Sequence, residues 1–111
     1  MARKVESTHA WIESVIFQST QFSPEEMTTR AGGAIALLKA HATDTFEFCA
    51  SEAAQIFGGN SYTRSGQGEK IERLNRDVKA YSIPGGSTEL MLVGSKFPIL
   101  ADLCNASGSQ T

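Results

Sequence analysis

This sequence contains little cysteine and has no net positive charge. The 111 residues include two cysteines, Cys49 and Cys104, and neither stands at a metal-ligand spacing from other donors. This argues against a disulfide framework or a zinc site, and both residues are expected to be buried free thiols in a reducing compartment. The formal net charge is −2 and the isoelectric point about 5.6. Nucleic acids and anionic membranes attract basic proteins, so neither partner is favoured.

Long apolar runs are missing as well. No apolar stretch approaches the roughly 20 residues of a membrane-spanning helix. The charged and polar start of the chain, residues 1–11, lacks the apolar core of a signal peptide. With 41% hydrophobic and 20% charged residues, the composition is that of a globular domain or a piece of a larger one. The sequence thus predicts a soluble intracellular protein without separating mitochondrion, peroxisome and cytosol.

The apolar residues recur at the three- and four-residue spacing of helices along most of the chain. A first helix is predicted over roughly residues 7–18, with Ser7 or Thr8 as its N-cap. It starts so close to Met1 that it is expected to be the remaining half of a longer helix. No stretch shows sustained strict alternation of apolar and polar residues, so no sheet is predicted.

A second, longer helix is predicted over residues 23–57. Ser23 suits its N-cap, Pro24 suits the first helical position, and Glu26 completes a capping box. The helix contains one interruption, Gly32-Gly33, which could kink it, split it or allow another backbone to approach.

Two shorter helical segments follow. The first covers residues 69–81, and its inner face is marked by Ile71, Leu74, Val78 and Tyr81. The second covers residues 88–97 and ends before Pro98. These limits predict a helical domain over residues 1–97 and a flexible, divergent tail over residues 98–111.

Two glycine pairs lie at opposite kinds of helix boundary. Gly58-Gly59 follows a helix, where one glycine suffices as the C-cap, so the second could permit close approach of another molecule. Gly85-Gly86 precedes a helix, with Ser87 or Thr88 as cap, where free backbone N–H groups could bind a phosphate. The plain alternative at each place is a tight turn without a ligand.

The charged and histidine side chains give weaker signals. Arg73, Arg76 and Asp77 lie on the helix between the glycine pairs, and the sequence leaves open a buried ion pair or a solvated face. His9 and His41 have no carboxylate or thiol arranged around them, so a surface or packing role is expected and no metal site is predicted. Nucleophile-elbow, P-loop and dinucleotide-fold fingerprints are absent.

The segment EAAQIFGGNSYTRSGQGEKIERLNRDVKAYSIPGGSTEL, residues 52–90, joins several motifs in a fixed order. These are a Gln-Ile-Phe-Gly-Gly helix end, an aromatic-Thr loop, an Arg-Asp helix and an Ile-Pro-Gly-Gly-Ser-Thr-Glu turn. The series resembles the C-terminal domain of the acyl-CoA dehydrogenases from about Ala34 to Met91, and more weakly back to about Thr8. The IPGGSTELM form is similar to that of a fungal subgroup. The resemblance implies an all-α fold, part of an up-and-down four-helix bundle with its first helix truncated.

The resemblance also implies roles for both glycine pairs. The first pair would belong to a segment that approaches the adenine-pyrophosphate part of FAD, and this FAD would be bound mainly by a neighbouring subunit of a homodimer or homotetramer. The segment consists of Gln55, Ile56, Phe57, Gly58 and Gly59. Ser87 and Glu89 would add flavin contacts, and Gly86 would lie beside the thioester of an acyl-CoA substrate.

The implied chemistry is α,β-dehydrogenation of acyl-CoA in fatty-acid or branched-chain acyl oxidation. A glutamate removes the α-proton while the β-hydrogen leaves as hydride to the flavin. Gly85 occupies the position where many family members carry that glutamate, so no catalytic residue is assigned; other members place it on an earlier helix. The family's N-terminal helical and middle β domains are also missing, and the pattern is lost after about Leu92. The isolated chain is therefore expected to be inactive.

Two other interpretations stay open. A non-catalytic helical interaction module derived from the same domain is supported by Gly85 and by the missing domains. A phosphate-ligand binder at Gly85-Gly86 is weaker, since no basic cluster lies at that turn.

Overall fold

The chain folds as a set of packed helices. The structure, a computed structural model, describes residues 1–94, and within them five α-helices follow one another. They are α1 (Ala2–Ser19), α2 (Pro24–Glu26), α3 (Gly32–Phe57), α4 (Glu69–Ser82) and α5 (Thr88–Gly94). A π-helical turn, Met27–Ala31, joins α2 to α3, and the 3₁₀ turns Gly58–Tyr62 and Gly66–Gly68 separate α3 from α4. The all-α prediction is confirmed. Pro98, Cys104 and the predicted tail lie outside the described residues.

The central element is α3, against which α1, α4 and α5 pack. Its 26 residues span roughly 39 Å at the helical rise per residue. The side chains that it buries are small, namely Ala40, Thr43, Thr45 and Ala50. Small side chains let the neighbouring helices approach the middle of α3 closely.

The first helix begins earlier than the sequence predicted. It starts at Ala2 rather than Ser7, because the Lys4 amide already donates to the Met1 carbonyl at 3.0 Å. Ser7 and Thr8 therefore lie inside the helix, where their hydroxyls donate to the Lys4 carbonyl at 3.0 and 2.7 Å. The predicted N-cap is wrong, because the charged residues of the first turn carry no apolar periodicity that would mark a helix.

The predicted start of the long helix is confirmed. The Glu26 amide donates to the Ser23 hydroxyl at 3.4 Å, and the Ser23 amide donates to the Glu26 carboxylate at 3.2 Å. The irregular turn of this helix is the π-helical segment, which precedes the glycine pair. The helix runs on through Gly32 and Gly33, and a Cβ on Gly32 would meet no atom of the described chain within 4 Å.

The inner face of α4 matches the prediction at three of its four positions. Val78 is buried, and Ile71 and Leu74 are half-buried. Tyr81 was wrongly assigned to this face, since 62% of it is exposed. Its ring edge meets Phe46 with 5.4 Å between centroids. A tyrosine at the margin of an apolar face can bury one edge while its hydroxyl stays hydrated.

Replacing Ser23 with Ala should lower the free energy of unfolding by about 1 kcal/mol, because a helix-start amide loses its acceptor. The Ser23 backbone and hydroxyl hydrogen bonds also hold the pKa of Glu26 below its usual 4.5. A carboxyl with a lowered pKa in the folded state stabilises the fold above its unfolded pKa, and this stabilisation is lost as the pH falls through the folded pKa.

Ser23→Ala removes the hydroxyl hydrogen bond to Glu26 and keeps the larger backbone one, so the variant should lose somewhat less thermal stability than the unsubstituted chain when the pH is lowered below 4.5. Thermal unfolding followed by circular dichroism at stepwise lower pH measures both effects. Ser51→Ala, at an exposed position inside α3, is the matched control. Equal acid sensitivity of the Ser23→Ala chain and the unsubstituted chain would contradict the assignment.

Candidate functional site

The end of α3 is an exposed surface of glycine backbone and apolar side chains. This α3-end segment comprises residues 55–59, all of them exposed. Ile56 is 69% exposed and Phe57, beside it in sequence, is 39% exposed. Large apolar side chains that stand together in water usually mark a surface that another molecule covers.

The two glycines of the α3-end segment differ in what their own chain requires of them. Gly58 ends α3 with φ +55° and ψ −136°, a conformation essentially restricted to glycine. Gly59 has no left-handed φ, and a Cβ built on it would meet nothing within 4 Å. Gly58 is therefore needed by the fold, whereas nothing in the described part of the chain requires Gly59 to lack a side chain.

The later glycines of the same loop serve the fold. Gly66 has φ +76°, a left-handed conformation that favours glycine. Gly68 is buried, and a Cβ there would overlap the backbone carbonyl of Asn60. The sequence did not indicate this packing of the loop onto the 3₁₀ turn, because the two residues are not linked by any local motif.

The second glycine pair lies in the α4–α5 turn, residues 83–88. Gly85 and Gly86 have φ of +73° and +102°. The Ser87 hydroxyl accepts a hydrogen bond from the Leu90 amide at 3.4 Å, so Ser87 rather than Thr88 is the cap. A Cβ on Gly86 would overlap the Met91 side chain, whereas a Cβ on Gly85 would meet nothing within 4 Å.

A lysine that the sequence reasoning missed holds this turn. The Lys39 ammonium, on α3, donates to the backbone carbonyls of Ser82 and Gly86 at 3.0 and 2.6 Å. A signal was present in the sequence, because Lys39 is the single cation in the otherwise apolar run AIALLKA. A lone lysine among buried positions needs acceptors, and helix-end carbonyls are suitable ones.

Acidic side chains surround the α4–α5 turn. A groove of about 210 Å³ beside it contains the carboxylates of Asp44, Glu47 and Glu89 together with Lys79. Lys79 pairs with Glu47 at 2.7 Å. The backbone amide of Glu89, then the Ser87 hydroxyl and two more distant lysines, hold the pKa of Glu89 below its usual value. A phosphate would meet repulsion here, which disfavours the phosphate-binder interpretation.

The two sets of predicted site residues do not meet within one chain. Gly86 lies against Lys39, whereas Gln55 lies near the far end of the same helix. Between Lys39 and Gln55 the axis of α3 rises by roughly 24 Å. A single chain can thus offer either segment to a ligand group, but it does not bring both to one point.

The arginines of α4 and the preceding loop converge on Glu72. Arg76 and Arg64 approach its carboxylate at 3.2 and 3.7 Å, beside a polar hollow that both line. Arg76 therefore pairs with Glu72, one turn away on α4, while Arg73 is exposed and Asp77 half-buried. Of the two arrangements left open by the sequence, the partly solvated face is the one observed.

The histidines and Cys49 have packing or surface positions. His41 lies against Trp11 with 5.4 Å between ring centroids, and His9 is exposed. Cys49 is a free thiol, half-buried rather than fully buried as predicted, because it borders an open apolar groove between α1 and α3. Within residues 1–94, no three side chains of His, Cys, Asp or Glu form a group that could hold a metal ion. No helix in that range is both long and apolar enough to cross a membrane.

Comparison with known proteins identifies the family. The family model described as acyl-CoA dehydrogenase, C-terminal domain, matches residues 1–93. Acyl-CoA dehydrogenase apdG of Emericella nidulans is 37% identical over 89 residues, which are 80% of this chain and 20% of that protein. Acyl-CoA dehydrogenase AFT10-1 of Alternaria alternata is 36% identical over 90 residues, 79% of this chain and 21% of that protein. No solved structure matches the chain significantly.

The chain belongs to the acyl-CoA dehydrogenase family and carries its C-terminal domain. The family resemblance drawn from the motifs is confirmed, and the observed all-α fold agrees with it. The chain spans about one fifth of the length of the curated relatives it matches.

The fold should require Gly58 but not Gly59 to be glycine, and stability measurements test this difference. Gly58→Ala should lower the free energy of unfolding by about 1–3 kcal/mol, because alanine is strained in that conformation. Gly59→Ala should change it by no more than about 0.5 kcal/mol, because the position is exposed and open. Urea unfolding of the two variants and the unsubstituted chain gives both values. Similar losses at the two positions would contradict the distinction.

Proposed function

We propose that this chain is the flavin-contacting and oligomerisation domain of an FAD-dependent acyl-CoA dehydrogenase, an oxidoreductase that acts on CH–CH bonds. The α3-end segment would contact FAD bound mainly by a neighbouring subunit. Ser87 and Glu89 would add flavin contacts, and Gly86 would lie beside the substrate thioester. The observation that carries the proposal is Gly59, which lacks a side chain although its own chain leaves room for one, and which follows the exposed Ile56 and Phe57.

The residues of the α3-end segment suit such a contact. The amide of Gln55 can both donate and accept hydrogen bonds, as an adenine or a pyrophosphate requires. Ile56 and Phe57 offer exposed apolar surface on the same segment. Two exposed glycines allow a ligand or a neighbouring backbone to approach the main chain. The residues present therefore fit FAD.

The distance between the two segments supports sharing of the cofactor between subunits. Since the α3-end segment and the α4–α5 turn lie far apart on α3, each would serve a different part of the bound molecules or a different copy of them. FAD supplies the acceptor for the β-hydride when it is bound. The described residues would bind and orient, and none of them is assigned as the proton acceptor.

A bulky side chain at Gly59 should block the proposed contact without unfolding the chain. We expect Gly59→Leu to lower flavin affinity by about tenfold or more, a loss of about 1.4 kcal/mol. The measurement is flavin content and flavin titration of the polypeptide that carries this sequence at its natural length. Gly32→Leu is the matched control, because a Cβ there also meets nothing within 4 Å. Unchanged flavin affinity in the Gly59→Leu protein would count against the proposal.

A second candidate is the non-catalytic interaction module. It is favoured by a further exposed apolar group at the end of α1, where Phe17 is 68% and Ile16 58% exposed. Exposure of this kind usually drives association. A module of this kind would associate through such faces and would have no need for flavin.

Both candidates predict self-association, and flavin separates them. The isolated chain should elute from gel filtration ahead of a monomer of 11.9 kDa. Phe17→Ser should shift it toward the monomer, while Ser51→Ala, exposed on α3, should leave elution unchanged. A monomer without any substitution would oppose both candidates. Association of the natural-length polypeptide in the complete absence of flavin would favour the interaction module.

A further inference from the structure

The α4–α5 turn is fixed to α3 through one cation. The half-buried Lys39 ammonium bonds two main-chain carbonyls, of Ser82 at 3.0 Å and of Gly86 at 2.6 Å. Ser82 is the last residue of α4, where helix carbonyls lack partners and the helix dipole is negative. One ammonium therefore links the end of α4, the middle of the turn and the central helix.

This link determines the orientation of a peptide unit that two glycines leave free. Gly85 and Gly86 both have left-handed φ, and glycine alone does not favour that conformation over others. No peptide bond in residues 1–94 is cis. The N–H of Ser87, which shares the peptide plane of the Gly86 carbonyl, thus points away from Lys39. Loss of the ammonium would leave this plane free to rotate.

We infer that Lys39 is a positioning residue, which holds Gly86, Ser87 and Glu89 in the orientation needed for the cofactor and the thioester. The inference rests on the proposed function of the turn. Lys79, the other cation nearby, is already paired with Glu47 at 2.7 Å on the exposed side of the groove. It therefore does not substitute for Lys39. The role of Lys39 is to act on ligands through the turn, without touching them.

Whether Lys39 fixes the α4–α5 turn can be tested on the isolated chain. Lys39→Met keeps an unbranched side chain, shorter by the terminal nitrogen, that cannot donate. Lys39→Arg keeps a cationic donor, and Lys70→Met removes an exposed lysine from the start of α4. Amide hydrogen exchange at Ile83, Leu90 and Met91, whose N–H groups bond to Lys79 and Ser87 at the two ends of the turn, should rise by about tenfold or more in Lys39→Met, because the charged hydrogen bonds that hold the turn are lost. Lys39→Arg should restore part of the protection, and Lys70→Met should not change it. Unaltered exchange in Lys39→Met would overturn the inference.

The consequence for the ligands is tested on the natural-length polypeptide. Lys39→Met should shift the visible absorption spectrum of its flavin and raise the KM for acyl-CoA by about tenfold. A purely structural lysine would lower the thermal midpoint and leave the flavin spectrum of the folded protein unchanged. Flavin present with an unchanged spectrum and KM would overturn this inference alone. A complete lack of flavin in the unsubstituted polypeptide would instead overturn the proposed function and, with it, the ligand role of Lys39.

Discussion

The rest of the structure depends on how closely α1, α4 and α5 approach the central helix α3. The fully buried side chains that the structure describes are small, namely two valines, Val15 and Val78, and several alanines, threonines and a serine. Most large apolar side chains remain partly or largely exposed, because narrow gaps between helices leave no room for them. The buried interior therefore contains few large apolar side chains. Many apolar side chains of these helices are left uncovered, and the proposed association and cofactor contact would each cover part of them.

The glycines of the two boundary segments have two different origins. Gly58, Gly66, Gly68, Gly85 and Gly86 are explained by the backbone or packing of their own chain, either by left-handed φ or by an atom where a Cβ would lie. Gly59 has neither explanation. A motif that looks uniform in sequence thus combines residues that build the turn with one, Gly59, that the fold of the chain does not require.

The sequence predicted features that depend on neighbouring residues better than features that depend on residues far apart in the chain. Helices were predicted from apolar spacing and the cap at Ser23 from adjacent residues, and both are local properties. The start of α1 was missed because charged residues form its first turn. Lys39 was missed because its acceptors are 43 and 47 residues away in sequence. The family motifs supplied the candidate site, which periodicity alone would have left as two turns. Its ligand contacts stay a prediction, since they involve atoms beyond this chain.

The conformation of Gly85 determines what a carboxylate side chain at this position would do to the turn. At φ +73°, an L-residue such as glutamate would be disfavoured by roughly 1–2 kcal/mol. A glutamate accommodated at ordinary φ would redirect the chain just before Gly86 and draw the carbonyl of that residue off Lys39. A glutamate introduced at residue 85 by a single substitution would therefore be expected to disturb the turn as well as to add an acid. In this backbone, a side-chain base at residue 85 and a lysine-anchored turn therefore oppose one another.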